Sequence, residues 1–446
     1  MSALPHKRPG RGRRLLAAAA ALLGLWLLLE AAVRSALEWP LATDFYSSIP
    51  RHFVRQRQAG FGLQLAGGIG WAHLGWIADP GAEQYRVERR TAQAWEPIGR
   101  AKFGSYLLRQ SGSYRVWAEP ADAGPARLLG EVSATVEAGQ APVFVPRIAG
   151  PWQTLFRPQR HGRYINDHTV YQDAGGRWRV LGITSQSDGN YAEEKYFASG
   201  SSSDFPPAAG MREETPVADF GALAWAPHVL TDSGGYSLFW SPHQLHRMTS
   251  ADGITWADHR VVMPAPMHRF FRDAMILKLA PGQWLLYSTA RGRYFSRVDL
   301  YQSFDLEGWQ YIGAALDSGW GSERNAIVAS TESPAVARYR GRYYLALTYN
   351  NDSFFWPAAL LAAKVWLDPP SYNDTLVFHA DNPYDFGTYR GVRRSPSLLT
   401  RLAAHAAELV YQPQQEAWYI TTAGWPWVAT LTNGEVAVAP LVWEAD

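Results

Sequence analysis

Acidic side chains recur at a fixed distance ahead of aromatic residues in this sequence. The aromatic residues are Trp178, Tyr236, Trp284, Tyr343 and Trp418. Eleven positions before the first four stand Asp167, Trp225, Asp273 and Glu332, and the fifth, which follows a turn two residues longer, matches His405. Equal offsets in a radially repeated fold predict equal places, so the three carboxylates are expected to converge. Neighbouring acids without a metal are typical of acid/base chemistry, in which burial and mutual repulsion separate their pKa values.

The elements that must position these acids form a repeat. Each unit combines an apolar run, a polar or Gly-containing turn and an aromatic strand, and the units cover residues 166–184, 225–241, 272–290, 332–349 and 405–424. Two units also share a later element, at 250–256 and 303–309. A hairpin with outer strands that returns about every 50–60 residues is typical of propeller blades. The sequence therefore predicts a five-bladed β-propeller over residues 150–446.

The composition agrees with an all-β protein. The 446 residues are 47% hydrophobic, 18% charged and 13% aromatic, with 39 Gly and 29 Pro, which excludes a disordered chain and favours short strands with tight turns. The absence of Cys excludes disulfides, Cys-based zinc sites and a thiol nucleophile. Beyond residue 14 the chain has 37 basic and 40 acidic residues, a balance that argues against nucleic acid as a partner.

The first 60 residues have the features of a targeting segment and a connector. Five basic residues precede an uninterrupted apolar run at 15–29. Fifteen apolar residues suit the core of a signal peptide and fall short of the roughly 20 of a comfortable membrane span. We therefore expect export, with residues 1–35 as either a cleaved signal or an uncleaved signal-anchor. Residues 36–60 show no sustained period and are expected to be a connector.

Residues 61–140 alternate in a different way. Short period-2 runs bounded by Gly, Pro and Asp predict a small antiparallel β-sandwich ahead of the propeller. The order of these runs, with YRVERR followed by SGSYRVWAEPADAG, loosely resembles a fibronectin type III module. That resemblance carries no chemistry.

Three tripeptides in the repeat resemble a known group of enzymes. The runs are NDH at 166–168, RDA at 272–274 and ESP at 332–334. They resemble the Asn-Asp-Pro, Arg-Asp-Pro and Glu-Cys/Ser-Pro signatures of five-bladed propeller glycoside hydrolases: the invertase and levansucrase-like families 32 and 68, and the arabinanase and xylosidase-like family 43. The chain departs from these signatures at His168 and Ala274, which stand where the family has Pro, and its sandwich precedes the propeller instead of following it.

The resemblance implies a role for each acid. Asp167 would be the nucleophile or the base that activates water, and Asp273 would stabilise the positive charge that develops on the sugar ring. Glu332 would be the general acid, with a pKa raised by its negative neighbours. Each acid also has a plain structural interpretation: an Asx turn for Asp167, a surface ion pair with Arg272 for Asp273, and a solvated strand start for Glu332.

Other side chains are assigned to substrate binding. The predicted set is Asn166, Arg272, Trp225 and His405. His405 is equally well interpreted as a structural histidine, and Glu408 is the reserve acid. Further candidates for stacking on a sugar are Trp240, Phe270 and Trp425, although most of the 20 tryptophans must pack between blades. The histidines show no metal-ligand spacing, so no metal or other cofactor is expected, with an axial structural calcium ion as the alternative.

Together these patterns predict an exported glycoside hydrolase or transglycosylase that acts on a furanoside or a pentose-containing glycan. The expected partner is an oligo- or polysaccharide, with no nucleic acid, and with a membrane only if the N-terminal segment stays uncleaved. Two alternatives belong to other classes: a propeller that binds glycans without cleaving them, and a membrane-anchored interaction scaffold.

Overall fold

The computed structural model divides the chain into two units, Met1–His52 and Phe53–Asp446. It describes residues 19–26, 28, 62–122, 124–187, 191–217, 220–264, 271–291, 296–316, 330–350, 372–387, 395–425 and 432–446. In the first unit, residues 19–26 are helical. Within the ranges given, no helix combines the length and the apolar character needed to cross a membrane. The predicted connector at 36–60 lies outside the described residues.

The first seven strands of the second unit form two antiparallel sheets. Their bounds are β1 Gln64–Gly68, β2 Trp71–Gly75, β3 Ala82–Arg90, β4 Trp95–Ala101, β5 Ser105–Leu108, β6 Gly112–Pro120 and β7 Arg127–Ala134. One sheet has the order β1-β2-β5 and the other β4-β3-β6-β7. Alternate residues of β3 and β6 are buried, so side chains such as Tyr85, Val87, Tyr114 and Val116 meet in a shared core.

These two sheets are fastened to the rest of the second unit by buried amide side chains. Gln302 donates to the carbonyls of Trp76 and Gly104, at 3.2 and 2.7 Å. The backbone N–H of Ala78 donates to the side-chain oxygen of Gln310 at 2.9 Å. Trp71 packs edge to face against Tyr343, with 6.1 Å between the ring centres. Such buried, satisfied contacts define a fixed orientation of the sandwich.

Four successive sheets follow, each of four antiparallel strands in chain order. They are β10 Asn166–Gln172, β11 Trp178–Thr184, β12 Tyr196–Ser202 and β13 Arg212–Val217; β14 Trp225–Asp232, β15 Gly235–Ser241, β16 Leu245–Ser250 and β17 Ala257–Met263; β18 Phe271–Ala280, β19 Gln283–Arg291, β20 Ser296–Ser303 and β21 Gln310–Leu316; β22 Ser330–Tyr339, β23 Arg342–Asn350, β24 Asp374–Ala380 and β25 Leu398–Ala403. Tight turns join the first two strands of each sheet. In the second sheet Gly235 has φ +111°, and a Cβ there would lie 2.6 Å from the carbonyl oxygen of Ser250.

The fifth sheet combines strands that precede the first sheet with strands that follow the fourth. It contains β26 Leu409–Gln412, β27 Ala417–Thr422 and β28 Val436–Ala445, with β8 Phe144–Ile148 paired to β28 and β9 Gln153–Phe156 also paired to β28. Strand β8 lies before residue 150, the boundary expected from the repeat. A repeat search does not reveal it because β8 has no hairpin partner next to it in sequence.

The five sheets follow one another through their first strands. β10 contacts β14, β14 contacts β18, β18 contacts β22, and β22 contacts β26. The fifth and first sheets also meet, because His168 is hydrogen bonded to Thr421 at 2.7 Å and the N–H of Val170 donates to the Glu408 carboxylate at 3.0 Å. Each sheet thus contacts the next through its first strand, and the fifth contacts the first. This all-β arrangement is consistent with a five-bladed propeller.

Candidate active site

The first strands of the five sheets share an irregularity of the backbone. One residue at each start has a positive φ, between +24° and +57°: Asp167, Ala226, Asp273, Ser333 and Ala406. In β10, β14, β18 and β22 the register with the second strand shifts at this residue, as in a β-bulge. A bulge turns successive side chains toward the same region, so the start of each first strand contributes two neighbouring side chains.

The pairing of the first and second strands shows which residues are equivalent in the five sheets. It corrects the offset of eleven residues that the sequence comparison assumed between the site residue and the aromatic residue. In each sheet, the residue that pairs with the aromatic residue used for the alignment lies five positions after the residue of positive φ. The pairs are Gln172–Trp178, Thr231–Tyr236, Lys278–Trp284, Arg338–Tyr343 and Tyr411–Trp418. The turns between the paired residues differ in length, so the bulge residue lies eleven positions before the aromatic residue in the first and third sheets, ten in the second and fourth, and twelve in the fifth. Trp225, Glu332 and His405 therefore each lie one position before the bulge residue. Glu332 is therefore equivalent to Arg272, and Ser333 is the equivalent of Asp167 and Asp273.

Ser333 joins the two aspartates. Its hydroxyl lies 2.8 Å from Asp167 Oδ1, and its backbone N–H donates to Asp273 Oδ2 at 3.1 Å. Both aspartates are buried, with Asp167 7% and Asp273 3% exposed. Ser333 was not among the predicted site residues, although Ser333 is the middle residue of the ESP tripeptide. Three bulges thus bring three polar side chains into one hydrogen-bond network.

Arg272 connects this network to the third acid. Its guanidinium forms an ion pair with Asp273 Oδ2 at 2.9 Å and a second ion pair with Glu332 Oε2. The Tyr372 hydroxyl donates to the other oxygen of Glu332. The predicted acids Asp167, Asp273 and Glu332 therefore lie in one cluster, and both oxygens of Glu332 are occupied by protein groups.

One carboxylate oxygen of the cluster has no hydrogen-bond partner. Asp273 Oδ1 is buried and unpaired within the part of the chain that the structure describes. Asp273 also lines a cavity of about 40 Å³, together with Asp167, Ser333 and His168 among others. A buried oxygen without a partner is costly, so this atom is suited to accept a hydroxyl from a bound molecule.

Asp167 has an unusual protonation equilibrium. Burial, followed by the negative charge of Asp273, raises its pKa to about 7, while Arg272 and the Ser333 hydroxyl act in the opposite direction. A carboxyl in this range can exist in both protonation states near neutral pH. That property suits a group that takes up or releases a proton during a reaction.

Asn166 and His405 extend the network behind Asp167. The amide of Asn166 lies 3.1 Å from Asp167 Oδ2 and 3.2 Å from His405 Nε2, and His405 Nδ1 lies 3.0 Å from the carbonyl of Tyr372. The NH₂ of Asn166 donates to Asp167 Oδ2, and its amide oxygen faces His405 Nε2. Burial lowers the pKa of His405 to about 4, so its ring is neutral and carries a single N–H.

The predicted stacking residues separate into two groups. Trp425 stacks on Tyr372, whose hydroxyl contacts Glu332, with ring centres 6.2 Å apart, and Trp225 lies beside the buried carboxyl of Glu194. Trp240 is in the core of the second sheet, stacked on His246 at 5.1 Å, and so is unavailable to a sugar. Phe270 lies outside the described residues. Glu408 is half-buried beside Val170, where the fifth and first sheets meet, and the loss of solvation there raises its pKa to about 8.

The donor groups of the described residues are not arranged for metal ligation. Among the residues whose positions are described, no group of three or more His, Asp or Glu side chains is arranged to hold a metal ion. Arg272, Ser333 and Tyr372 contact every carboxylate oxygen of the cluster for which the structure gives a partner except Asp167 Oδ2, which accepts from Asn166. The axial calcium ion stays a prediction.

Comparison of the sequence with protein-family models gives no match, and comparison with curated proteins gives none either. Solved structures do match. A thermostable family-43 glycoside hydrolase is 14% identical, with 63% of this chain and 92% of that chain covered and a TM-score of 0.42. The α-L-arabinanase of Penicillium chrysogenum, solved with arabinobiose, is 12% identical, with coverage of 68% and 98% and a TM-score of 0.42. The GH32 β-fructofuranosidase of Bombyx mori is 13% identical, with coverage of 65% and 61% and a TM-score of 0.44.

These structures include a glycoside hydrolase of family 43 and one of family 32, two of the families that the tripeptides resemble. Identities of 12–14% are too low to transfer the role of any residue. Each role must therefore follow from the geometry of this chain.

Proposed function

We propose that the protein is a glycoside hydrolase or transglycosylase whose reaction centre is the cluster of Asp167, Asp273 and Glu332. The observation that carries the proposal is the convergence of three acids from three sheets on one buried network that leaves Asp273 Oδ1 unpaired. A purely structural network satisfies its oxygens internally. In the proposed complex a substrate hydroxyl donates to this remaining oxygen.

The proposed reaction divides the work among the three acids. Asp167, when ionised, attacks the anomeric carbon or removes a proton from the attacking water. Asp273 accepts a sugar hydroxyl and stabilises the positive charge that develops on the ring. Glu332 donates a proton to the oxygen of the departing group, and must exchange a present contact with Arg272 or Tyr372 to do so. When water attacks, the proton that Asp167 takes from it balances the proton that Glu332 gives to the leaving group. When Asp167 attacks, its bond to the anomeric carbon forms as the glycosidic bond breaks, and water or an acceptor hydroxyl, giving its proton to Glu332, then breaks that new bond.

The proposed substrate is a furanoside or a pentose-containing glycan. The support for this class is the resemblance of the three tripeptides to families 32, 68 and 43. A panel of arabinan, xylan, levan, sucrose and aryl furanosides, incubated with the full chain and analysed for released reducing sugar or aryl alcohol, tests both the activity and the class. Asp167→Asn is the control, because a contaminating enzyme would leave its signal unchanged.

A second candidate function is the binding of a glycan without cleavage. The observation that favours it is the engagement of both Glu332 oxygens by Arg272 and Tyr372, since an ion pair with a guanidinium stabilises the ionised carboxylate. Calorimetric binding of a glycan that is recovered intact after prolonged incubation would support this candidate over the enzyme.

We also propose that the protein is exported, with the N-terminal segment as its signal or its membrane anchor. The support is the basic stretch followed by the apolar run at 15–29. Fractionation of cells that express the full chain, followed by N-terminal sequencing of the mature protein, separates the cleaved from the anchored form.

A further inference from the structure

Two cavities are lined by the first strands of the five sheets. The smaller, of about 40 Å³, is lined in every sheet by the residue of positive φ and by one or two residues that follow it. Because equivalent residues of all five sheets surround this cavity, it lies on the axis of the propeller. The larger, of about 570 Å³, is lined in every sheet by the residue two positions after the bulge residue: Thr169, His228, Met275, Ala335 and Glu408.

The two cavities share part of their lining. The residues common to both are His228, Met275, Ala335 and Glu408, which we call the axial ring. Beyond the axial ring, the larger cavity extends along the first strands to Thr231 and Tyr411, and both of these residues are exposed. The axial ring therefore lies between the reaction centre and the opposite end of the first strands, where the larger cavity reaches solvent.

The smaller cavity has the size and the polar groups to hold a water molecule. Asp273 Oδ1 and His168 Nδ1 are buried and have no hydrogen-bond partner in the described part of the chain, and both residues line this cavity. A water molecule takes up about 30 Å³ in the liquid, and a buried one usually bonds to polar groups that are otherwise unsatisfied. The cavity is therefore suited to one ordered water beside Asp167.

The axial ring offers hydrogen bonds without a charge. The loss of solvation lowers the pKa of His228 to about 4 and raises that of Glu408 to about 8. At neutral pH the imidazole is therefore neutral and the carboxyl keeps its proton. His228 Nε2 donates to the carbonyl of Ile276 at 3.1 Å, so Nδ1 of the neutral ring is an acceptor. Such a lining suits water, which both donates and accepts hydrogen bonds.

We propose that the two cavities form a water passage that supplies the reaction centre through the axial ring, from the end of the propeller opposite to the sugar. The proposal rests on the proposed function, in which each hydrolysis consumes one water. The hydroxyl of that water becomes bound to the anomeric carbon, and its other proton restores the one that Glu332 gives to the leaving group. A sugar that donates to Asp273 Oδ1 lies against the smaller cavity, so the consumed water is replaced from the larger one.

The test narrows the axial ring with Ala335→Leu and widens it with Met275→Ala, in the full chain. Two matched controls leave the ring unchanged. Thr231→Leu adds an apolar side chain at the exposed end of the larger cavity, and Met248→Ala removes the same side chain from the core of the second sheet. Circular dichroism confirms that all four variants are folded.

The first readout is the partition between hydrolysis and transfer. An aryl furanoside is cleaved in the presence of glycerol, which is too large for the smaller cavity and enters from the sugar side. We expect Ala335→Leu to raise the ratio of glycerol glycoside to free sugar by about threefold or more, with a lower hydrolytic kcat and little change in KM, because one ordered water is bound less well. Met275→Ala should lower the ratio, and the controls should keep it within about twofold of the wild type. A variant that is merely less stable loses both products alike.

The second readout does not depend on activity. Magnetic relaxation dispersion of water deuterons and oxygen in the sugar-free protein measures how long buried waters stay. Ala335→Leu should lengthen the residence of the slowest water and Met275→Ala should shorten it. If no substrate is cleaved, the proposed function fails, and this measurement still decides whether the passage exists. Residence times that are unchanged in either folded ring variant overturn the passage, and altered residence times with an unaltered product ratio overturn its supply of the reacting water.

Discussion

The starts of the first, third and fourth sheets differ from those of the second and fifth. All five have a residue of positive φ at the equivalent position. This residue is polar in the first group, Asp167, Asp273 and Ser333, and is alanine in the second, Ala226 and Ala406. The backbone conformation thus recurs in all five sheets, whereas polar side chains occupy this position only in the first, third and fourth. The comparison teaches that the bulge belongs to the fold, and that function arises from the side chain placed on it.

The position just before the bulge shows the opposite behaviour. It is occupied in all five sheets by a side chain with a polar group: Asn166, Trp225, Arg272, Glu332 and His405. Four of these five make hydrogen bonds or ion pairs to another member or to a bulge residue, and Trp225 lies beside Glu194. This outer set therefore supports and orients the inner one.

The largest effect that this comparison predicts is at Asp167. We expect Asp167→Asn to lower kcat/KM by roughly 10²–10⁴-fold or more on every substrate, because the attacking group or its base is lost and the equivalent alanines cannot replace it. Initial rates on natural and aryl substrates, with circular dichroism to confirm folding, measure the effect. A folded variant with full activity would contradict the division into active and inactive sheets.

The second effect separates Asp273 from Glu332. Glu332→Gln should retain more activity on aryl glycosides than on natural glycans, since a good leaving group needs little protonation. Asp273→Asn should lose roughly 10²–10³-fold on both, because the charge that develops on the ring is common to them. A plot of log kcat/KM against the leaving-group pKa measures the difference. If Glu332→Gln were equally damaging on both kinds of substrate, Glu408→Gln would be examined next.

The third effect concerns pH and the bulge of the fourth sheet. Asp167 acts when ionised, so activity is lost as pH falls through its raised pKa of about 7. Ser333→Ala removes a hydrogen bond that holds this pKa down, so the acidic limb of the pH–rate profile should move to higher pH by about half to one unit. Ser333→Thr, which keeps the hydroxyl, is the matched control. An unshifted limb would mean that another group controls it.

A smaller effect is expected on stability, at Glu408 of the fifth sheet. The folded protein retains this proton up to a pKa of about 8, whereas the unfolded chain loses it near the ordinary value of 4.5. Wild-type stability therefore falls as pH rises from about 4.5 to 8, and Glu408→Gln should remove that part of the fall. We expect the variant to gain about 2 °C or more in Tm at pH 8.5 relative to its difference at pH 5. Equal differences at both pH values would refute the cause.

The smallest effect tests the backbone itself. Ala226→Gly and Ala406→Gly relieve a left-handed conformation, at φ +47° in each case, and should stabilise the protein by about 0.5 kcal/mol without changing activity. Ala274→Gly, at a neighbouring position without a positive φ, should instead destabilise it by about 0.5–1 kcal/mol. Urea unfolding measures all three. Destabilisation by the first two would show that their methyl groups, and not the backbone, matter most.

The sequence carried enough information to predict the all-β fold and the convergence of the acids. Hairpins that repeat with their aromatic residues mark the sheets, and Asp167, Asp273 and Glu332 do lie together. Strand β8 was not predicted as part of the fifth sheet, because its partner β28 is remote in sequence. The equivalence of Ser333 was missed because turn lengths vary, and only the strand pairs reveal where the count must shift.

Two residues near the site have no signal in the sequence. Glu194 lies in the charged run AEEKY, which has the composition of a solvated loop, yet it is buried. Tyr372 follows a stretch without a repeat, and only its place in space shows that it reaches Glu332. Both are set by loops, whose paths depend on tertiary packing more than on local pattern.

The pairing of β8 with β28 has a mechanical consequence. The strands are antiparallel, with Phe144 opposite Ala445 and Ile148 opposite Leu441. The chain therefore enters β8 and leaves β28 at the same end of the strand pair. Tension between them would unzip the pair bond by bond, which is the weaker loading direction for two strands. A force applied to the incoming chain acts first on the sandwich. The contacts that Gln302 and Gln310 make with the sandwich must therefore break before the force reaches the β8–β28 pair.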